Sequence, residues 1–278
     1  MKTTGLILAL LLLTSCVGTT PQPSTPEVAL PDEAVAASPT AMKPIVLTLS
    51  AEDEGARGPL TAQLTTARRQ VETFFDAPFE EDIQVTLHPD REQFTASFPA
   101  EWGLTTTECW MVAYGVADQL SALSPRVWAE QACEHDGDDP EHVRQILLHE
   151  LVHVFHGQHN PTRDFSGAEQ VGWFAEGLAV LASGQLAGDH SGAARQALDA
   201  ESGPASLETA WSGPWRYGVC GSLVRHLDRI VGRQRLLALL GATTNAELMA
   251  AAGTTETRFL AQWAEAVRQG VPHVPAMK

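Results

Sequence analysis

The sequence predicts an α+β domain: a small mixed N-terminal sheet packed on one histidine-bearing helix, followed by a mainly helical C-terminal half. Three observations carry this. Strand-like alternation is confined to the stretch before about residue 132. From Asp139 onward, apolar residues recur almost entirely at helical spacing. Between residues 44 and 278 there is no internal repeat and no linker long enough to separate two domains. Strands first and helices later is the pattern of an α+β unit. With 278 residues, 44% of them apolar, the chain can bury a sizeable core.

The opening "MKTTGLILALLLLTSC" has a basic start at Lys2, an apolar run over residues 6–13 and small residues before a cysteine. It reads as a secretory signal, too short to span a bilayer. The end of this stretch, Leu13-Thr14-Ser15-Cys16, resembles the lipobox of bacterial lipoproteins. That resemblance implies cleavage before Cys16, lipid on its thiol, and a place in the bacterial cell envelope facing the periplasm or cell exterior. Residues 17–43 are rich in Pro, Thr, Ser and Ala without apolar periodicity and read as a disordered tether. The folded domain is expected over 44–278.

Within it, "PIVLTLS" reads as a strand and "GPLTAQLTTARRQVETFFD" as a helix, its apolar face built on Leu60, Leu64, Ala67, Val71, Phe74 and Phe75. "DIQVTLHP", "CWMVAYG" and "PRVWAEQA" read as three further strands. Asp139 as N-cap and Pro140 at the first helical position start the helix "PEHVRQILLHELVHVFHG", which Gly157 and Pro161 are expected to close. Further helices are expected at "EQVGWFAEGLAVLASGQ", "AARQALDAES", "PWRYGVCGSLVRHLDRIVG", "RQRLLALLGA" and "TETRFLAQWAEAVRQ", and "AELMAAAG" also reads as helix.

The formal net charge of −16 argues against nucleic acid and against an anionic membrane surface as partners. Membrane contact is therefore assigned to the lipid on Cys16 alone. Cys109 and Cys133 flank one segment and could pair, which would leave Cys220 free on an apolar helix; the sequence leaves the pairing open.

The chemistry concentrates in "QILLHELVHVFHGQH", residues 145–159, where His149-Glu150-Leu151-Val152-His153 forms an H-E-x-x-H pattern. On a helix, positions i and i+4 share a face, so both imidazoles can reach one zinc ion and Glu150 can take a proton from a metal-bound water. An open catalytic zinc site needs a third protein ligand. Glu176, in the apolar "GWFAEGLAV", is a carboxylate whose neighbours imply burial and which therefore calls for a cation. His159 lies six residues after His153, the metzincin spacing, but His156 occupies that pattern's glycine position and Gly157 falls one residue late. Met249 lies in a helical stretch rather than a turn, so Glu176 is favoured.

"LLHELVHVFHG", "GWFAEGLAVLASG" and "YGVCGSLVRHLDRIVG", in that order, resemble the gluzincin metallopeptidases, and among them the bacterial peptidase MA-like domains. The resemblance covers roughly residues 140–270 and implies a zincin-like domain holding one zinc per chain on His149, His153 and Glu176, with Glu150 as general base. It also implies an oxyanion donor on a following helix, a place that Tyr217 matches best. His226, on the same helix, is a weaker substitute, expected to be exposed and ion-paired near Arg225 and Asp228. One common gluzincin pattern has an aspartate four residues after the glutamate ligand; here Val180 stands there, so the group that orients a zinc histidine must come from elsewhere.

Of the remaining groups, His156 is expected to extend the polar stripe near the metal and His159 to cap the helix end. The acidic "EHDGDDPEH" reads as a solvated N-terminal cap. The seven tryptophans are expected mostly in the core, with Trp211 and Trp215 able to line a cleft near Tyr217. The sequence therefore points to a lipid-anchored zinc peptidase acting on peptide or protein substrates. A non-catalytic zinc-binding lipoprotein is the rival, and the oligomeric state is not legible.

Overall fold

The computed structural model describes residues 43–270; the signal, Cys16 and nearly all of the tether lie outside them. The chain begins with β1 (Ile45–Thr48), α1 (Arg57–Phe75), β2 (Ile83–His88) and α2 (Arg91–Ala96). β3 (Ala113–Val116), β4 (Gln119–Leu123) and the one-turn α3 (Trp128–Gln131) complete the first half. Next come α4 (Pro140–Gln158), α5 (Gly172–Ala182), α6 (Ala193–Asp199) and α7 (Arg216–Val231). α8 (Arg233–Ala238), α9 (Asn245–Ala251) and α10 (Glu256–Arg268) close the domain. This is the expected α+β arrangement, a four-stranded mixed sheet followed by a mainly helical half. None of the described helices is long and apolar enough to cross a membrane.

The sheet runs in the order β1-β2-β4-β3; β1, β2 and β4 are parallel and β3 is the antiparallel edge. Period-2 alternation in β2 buries Ile83, Val85 and Leu87 on one side. α1 turns Leu60, Leu64, Ala67, Val71 and Phe75 inward, as its spacing predicts. Phe75 stacks on Phe155 of α4 with centroids 4.5 Å apart, and Phe79 meets the same ring edge-on at 5.2 Å. The histidine-bearing helix is thus wedged between α1 and the sheet.

Two expectations fail here for physical reasons. "PRVWAEQA" is not a strand. Ser124 Oγ accepts from the Arg126 amide (3.3 Å) and Pro125 stands at the first helical position, so the chain makes a 3-10 turn that leads into α3. The fourth strand is instead "QLSAL", β4. Its residues have little intrinsic strand preference, and pairing with β2 on one side and β3 on the other imposes the extended form.

Gly157 does not end α4 either: the helix runs through it to Gln158, with His159 at the C-cap. Gly157 serves close approach, because a Cβ there would lie 2.4 Å from the Ala117 nitrogen and 2.5 Å from the Arg163 carbonyl oxygen. The turn joining β3 to β4 rests directly on that bare backbone, and Gln158 Nε2 ties it down through the Ala117 carbonyl (3.0 Å). Cys109 and Cys133 form a disulfide bridging the ends of the β3-β4 region, and Cys220 is a buried free thiol.

Candidate metal centre

α4 delivers His149, Glu150 and His153 to one buried face, and α5 brings Glu176 against it. His149 Nε2 and His153 Nε2 are 3.2 Å apart; Glu176 Oε2 is 3.4 Å from the first and 3.7 Å from the second. Donors about 2.0–2.1 Å from a tetrahedral zinc are separated by about 3.3 Å, so this triangle has the dimensions of three of its vertices. A fourth vertex is left for water or substrate. The residues present therefore fit a divalent ion, and this buried group can bind a metal.

The donor chemistry agrees with the geometry. Gln185, just beyond α5, presents Oε1 to His149 Nδ1 at 2.8 Å, and Ser183 Oγ donates to the same oxygen at 2.9 Å. An amide oxygen only accepts, so Nδ1 carries the hydrogen, and it is Nε2 that faces the other donors and offers its lone pair whenever the ring is neutral. Gln185 thus fixes the orientation of the His149 ring, and Val180 does not. Val180 points at α7 instead, where its Cγ1 lies over Gly221. Sequence reasoning missed Gln185; its only signal was a buried amide one turn past an apolar helix that carries a candidate ligand.

The buried carboxylates and imidazoles shift one another's pKa values strongly. Burial alone would lower the His149 pKa, but the Glu176 hydrogen bond and the charges of Glu150 and Glu176 outweigh it and raise it to about 9. Glu176 would be raised by burial, yet the His153 charge and its contacts with both histidines hold it well below the usual carboxylate range. Glu150 is pushed up by burial, against the pull of His149 and His153. A buried carboxyl with an elevated pKa beside a cation site has the character of a general acid-base group.

Tyr217 stands at the rim, its ring 6.2 Å from that of His149. It stacks on His190 at 5.2 Å, meets Trp211 edge-on at 4.8 Å and lies under the Arg216 guanidinium at 5.0 Å. Burial and the Glu176 charge push its pKa upward, so the phenol keeps its proton at neutral pH. Trp211 therefore belongs to this rim, whereas Trp215 turns to α6 and donates to Gln196.

The other histidines go elsewhere. His159 donates from Nδ1 to the Phe155 carbonyl (2.8 Å), stacks on Phe155 and faces Glu80, so it caps α4 as expected rather than competing with Glu176. His156 does not extend the polar stripe. Wholly buried between Phe165 and Phe174, it donates from Nε2 to the Leu240 carbonyl (3.0 Å), and burial lowers its pKa to about 3. His226 is neither exposed nor ion-paired: Asp228 pairs with Arg233 (2.7 Å), and the His226 ring packs on Phe259. In "EHDGDDPEH", Asp139 caps α4 by accepting from the Glu141 amide (2.9 Å).

No protein-family model, no curated protein and no solved structure matches this chain.

Proposed function

We propose that this chain is a zinc-dependent peptidase, held at the bacterial envelope by lipid on Cys16. The observation that carries the reading is the triangle of His149, His153 and Glu176 donors with the buried Glu150 carboxyl beside it. Held by those three residues, zinc would supply a Lewis acid that acidifies water and polarises a carbonyl.

The remaining work falls to the chain's own groups. Glu150 takes the proton of the attacking water and returns it to the departing amine, a two-way task suited to its elevated pKa. Tyr217 keeps its phenolic proton and donates it as a hydrogen bond to the oxyanion that develops on the former carbonyl. Gln185 fixes the tautomer of His149. β3 is the edge strand of the sheet, and no further described strand pairs with its outer side, the type of surface along which an extended peptide can lie.

The test is metal analysis of the purified chain followed by Glu150→Gln. The reading expects one zinc per chain in both forms, and hydrolysis of a peptide library that falls about 10²–10⁴-fold or more in the variant. A zinc-loaded wild type that cleaves no peptide would leave a zinc-clipped binding module in its place. Failure to bind zinc at all would remove both readings.

A further inference from the structure

A cavity of about 470 Å³ lies away from the metal donors, between the end of α5, the loop that follows it, α6, α7 and α10. Its size is that of an ordinary small-molecule site. Its charge is out of keeping with the chain. Acidic residues outnumber Lys and Arg by 34 to 18, yet the wall holds Arg195, Arg225 and Arg229 and not one Asp or Glu, while burial lowers the pKa of its two histidines, His190 and His226.

Arg195 is already committed, to Asp199 at 2.9 Å and to the Arg268 carbonyl at 3.0 Å. Arg225 and Arg229 have no carboxylate within 4 Å among the described residues, although they stand one turn apart on α7 where like charges repel. Arg225 is half-buried, and burial together with Arg229 lowers its pKa. Asp189 is the acidic neighbour of His190 but does not line the cavity. The same wall holds the apolar Leu181, Leu186, Ala194 and Trp263, and the Trp263 Nε1–H is already satisfied by Ser222 Oγ (3.0 Å).

A half-buried and an exposed guanidinium, neither with a carboxylate partner among the described residues, share a wall with apolar side chains, which defines a ligand with one acidic end and one greasy end. A planar guanidinium fork matches the two oxygens of a carboxylate in a bidentate pair. We propose that this cavity binds a small amphiphilic carboxylate, its acid group on Arg225 and Arg229 and its apolar body against Leu186 and Trp263. Two sources share that chemistry, a fatty acid and the C-terminal end of a short apolar peptide. His190 is part of the wall and also stacks on Tyr217, so the site adjoins the metal centre without using its donors.

The test is calorimetric titration of the folded chain with decanoate and with N-acetyl-leucyl-phenylalanine, beside decanol and the peptide amide as neutral counterparts. At least one carboxylate should bind more tightly than its neutral counterpart and weaken as salt is raised. The double variant Arg225→Gln, Arg229→Gln should weaken it at least about tenfold, whereas Arg225→Lys, which keeps the charge but not the planar fork, should weaken it less than Arg225→Gln. Tighter binding of one probe assigns the source. The proposal is overturned if neither carboxylate binds at about 1 mM, or if the neutral analogue binds equally well in the wild type. It also falls if the folded double variant binds as the wild type does. The wild-type comparisons decide the matter even if the variants do not fold.

Discussion

Replacing Gln185 with leucine should separate the support of the metal centre from its ligands. Leucine is close to glutamine in size, so the substitution leaves little void, but it removes the acceptor that His149 Nδ1 reaches at 2.8 Å and Ser183 Oγ at 2.9 Å. His149 and Gln185 are both buried, so water cannot replace the lost bond at either end. An unsatisfied buried donor costs about 1–3 kcal/mol of folding stability. Loss of an outer partner of a ligating histidine lowers metal affinity about 10–100-fold, or about 1.4–2.7 kcal/mol. Urea unfolding reads the first effect, and competition against a chromogenic zinc chelator at neutral pH reads the second. Gln185→Glu keeps an acceptor in place and should retain the affinity. A folded Gln185→Leu chain whose zinc affinity stays within about twofold of wild type would refute the claim that this amide sets the tautomer of His149.

Gly115→Ala would put a Cβ 2.3 Å from the Glu150 carbonyl oxygen; overpacking of this kind costs about 1–3 kcal/mol, and an unchanged urea midpoint would show that β3 is not seated on α4 as described. His156 carries a pH effect whose sign follows from its depressed pKa. The unfolded chain, with an ordinary histidine pKa near 6.5, binds the proton before the folded one, so stability is full above that value and falls as pH drops toward about 3. Between pH 7 and pH 5 the loss from this group is about 2 kcal/mol; His156→Gln should flatten that part of the stability profile, and an identical profile would refute the assignment. Cys109→Ser with Cys133→Ser removes a crosslink between residues 24 apart, with an expected loss of about 3 kcal/mol in thermal unfolding, and an equal loss should follow reduction of the wild type.

Much of the fold could be read because its elements obey local rules. The helical spacing of Leu60, Leu64, Ala67 and Val71 survives intact in α1, and the cap and proline at Asp139 and Pro140 start α4 where expected. The metal donors were legible for a related reason: histidines one turn apart need only a helix to converge, and a carboxylate among Trp173, Phe174 and Leu178 announces its need for a cation. What stayed hidden depends on long-range partners. β4 is a strand because of its two neighbours, Gly157 is a seat for a turn forty residues earlier, and Gln185 acts on a ring thirty-six residues upstream. His226 looked solvent-facing beside Arg225 and Asp228, but Asp228 prefers Arg233 and α10 covers the ring. The arginine-lined cavity draws on five separate segments, and no linear pattern marks it.

The ten residues from Glu176 to Gln185 hold both the third donor and the prop behind the first, so a single short stretch closes the centre from two directions. If that stretch peels away, the carboxylate and the amide depart together and the two histidines of α4 are left bare. An ion seated there would act as a rivet between neighbouring helices. Amide exchange and proteolytic nicking just after α5 should therefore slow together when the chain is loaded.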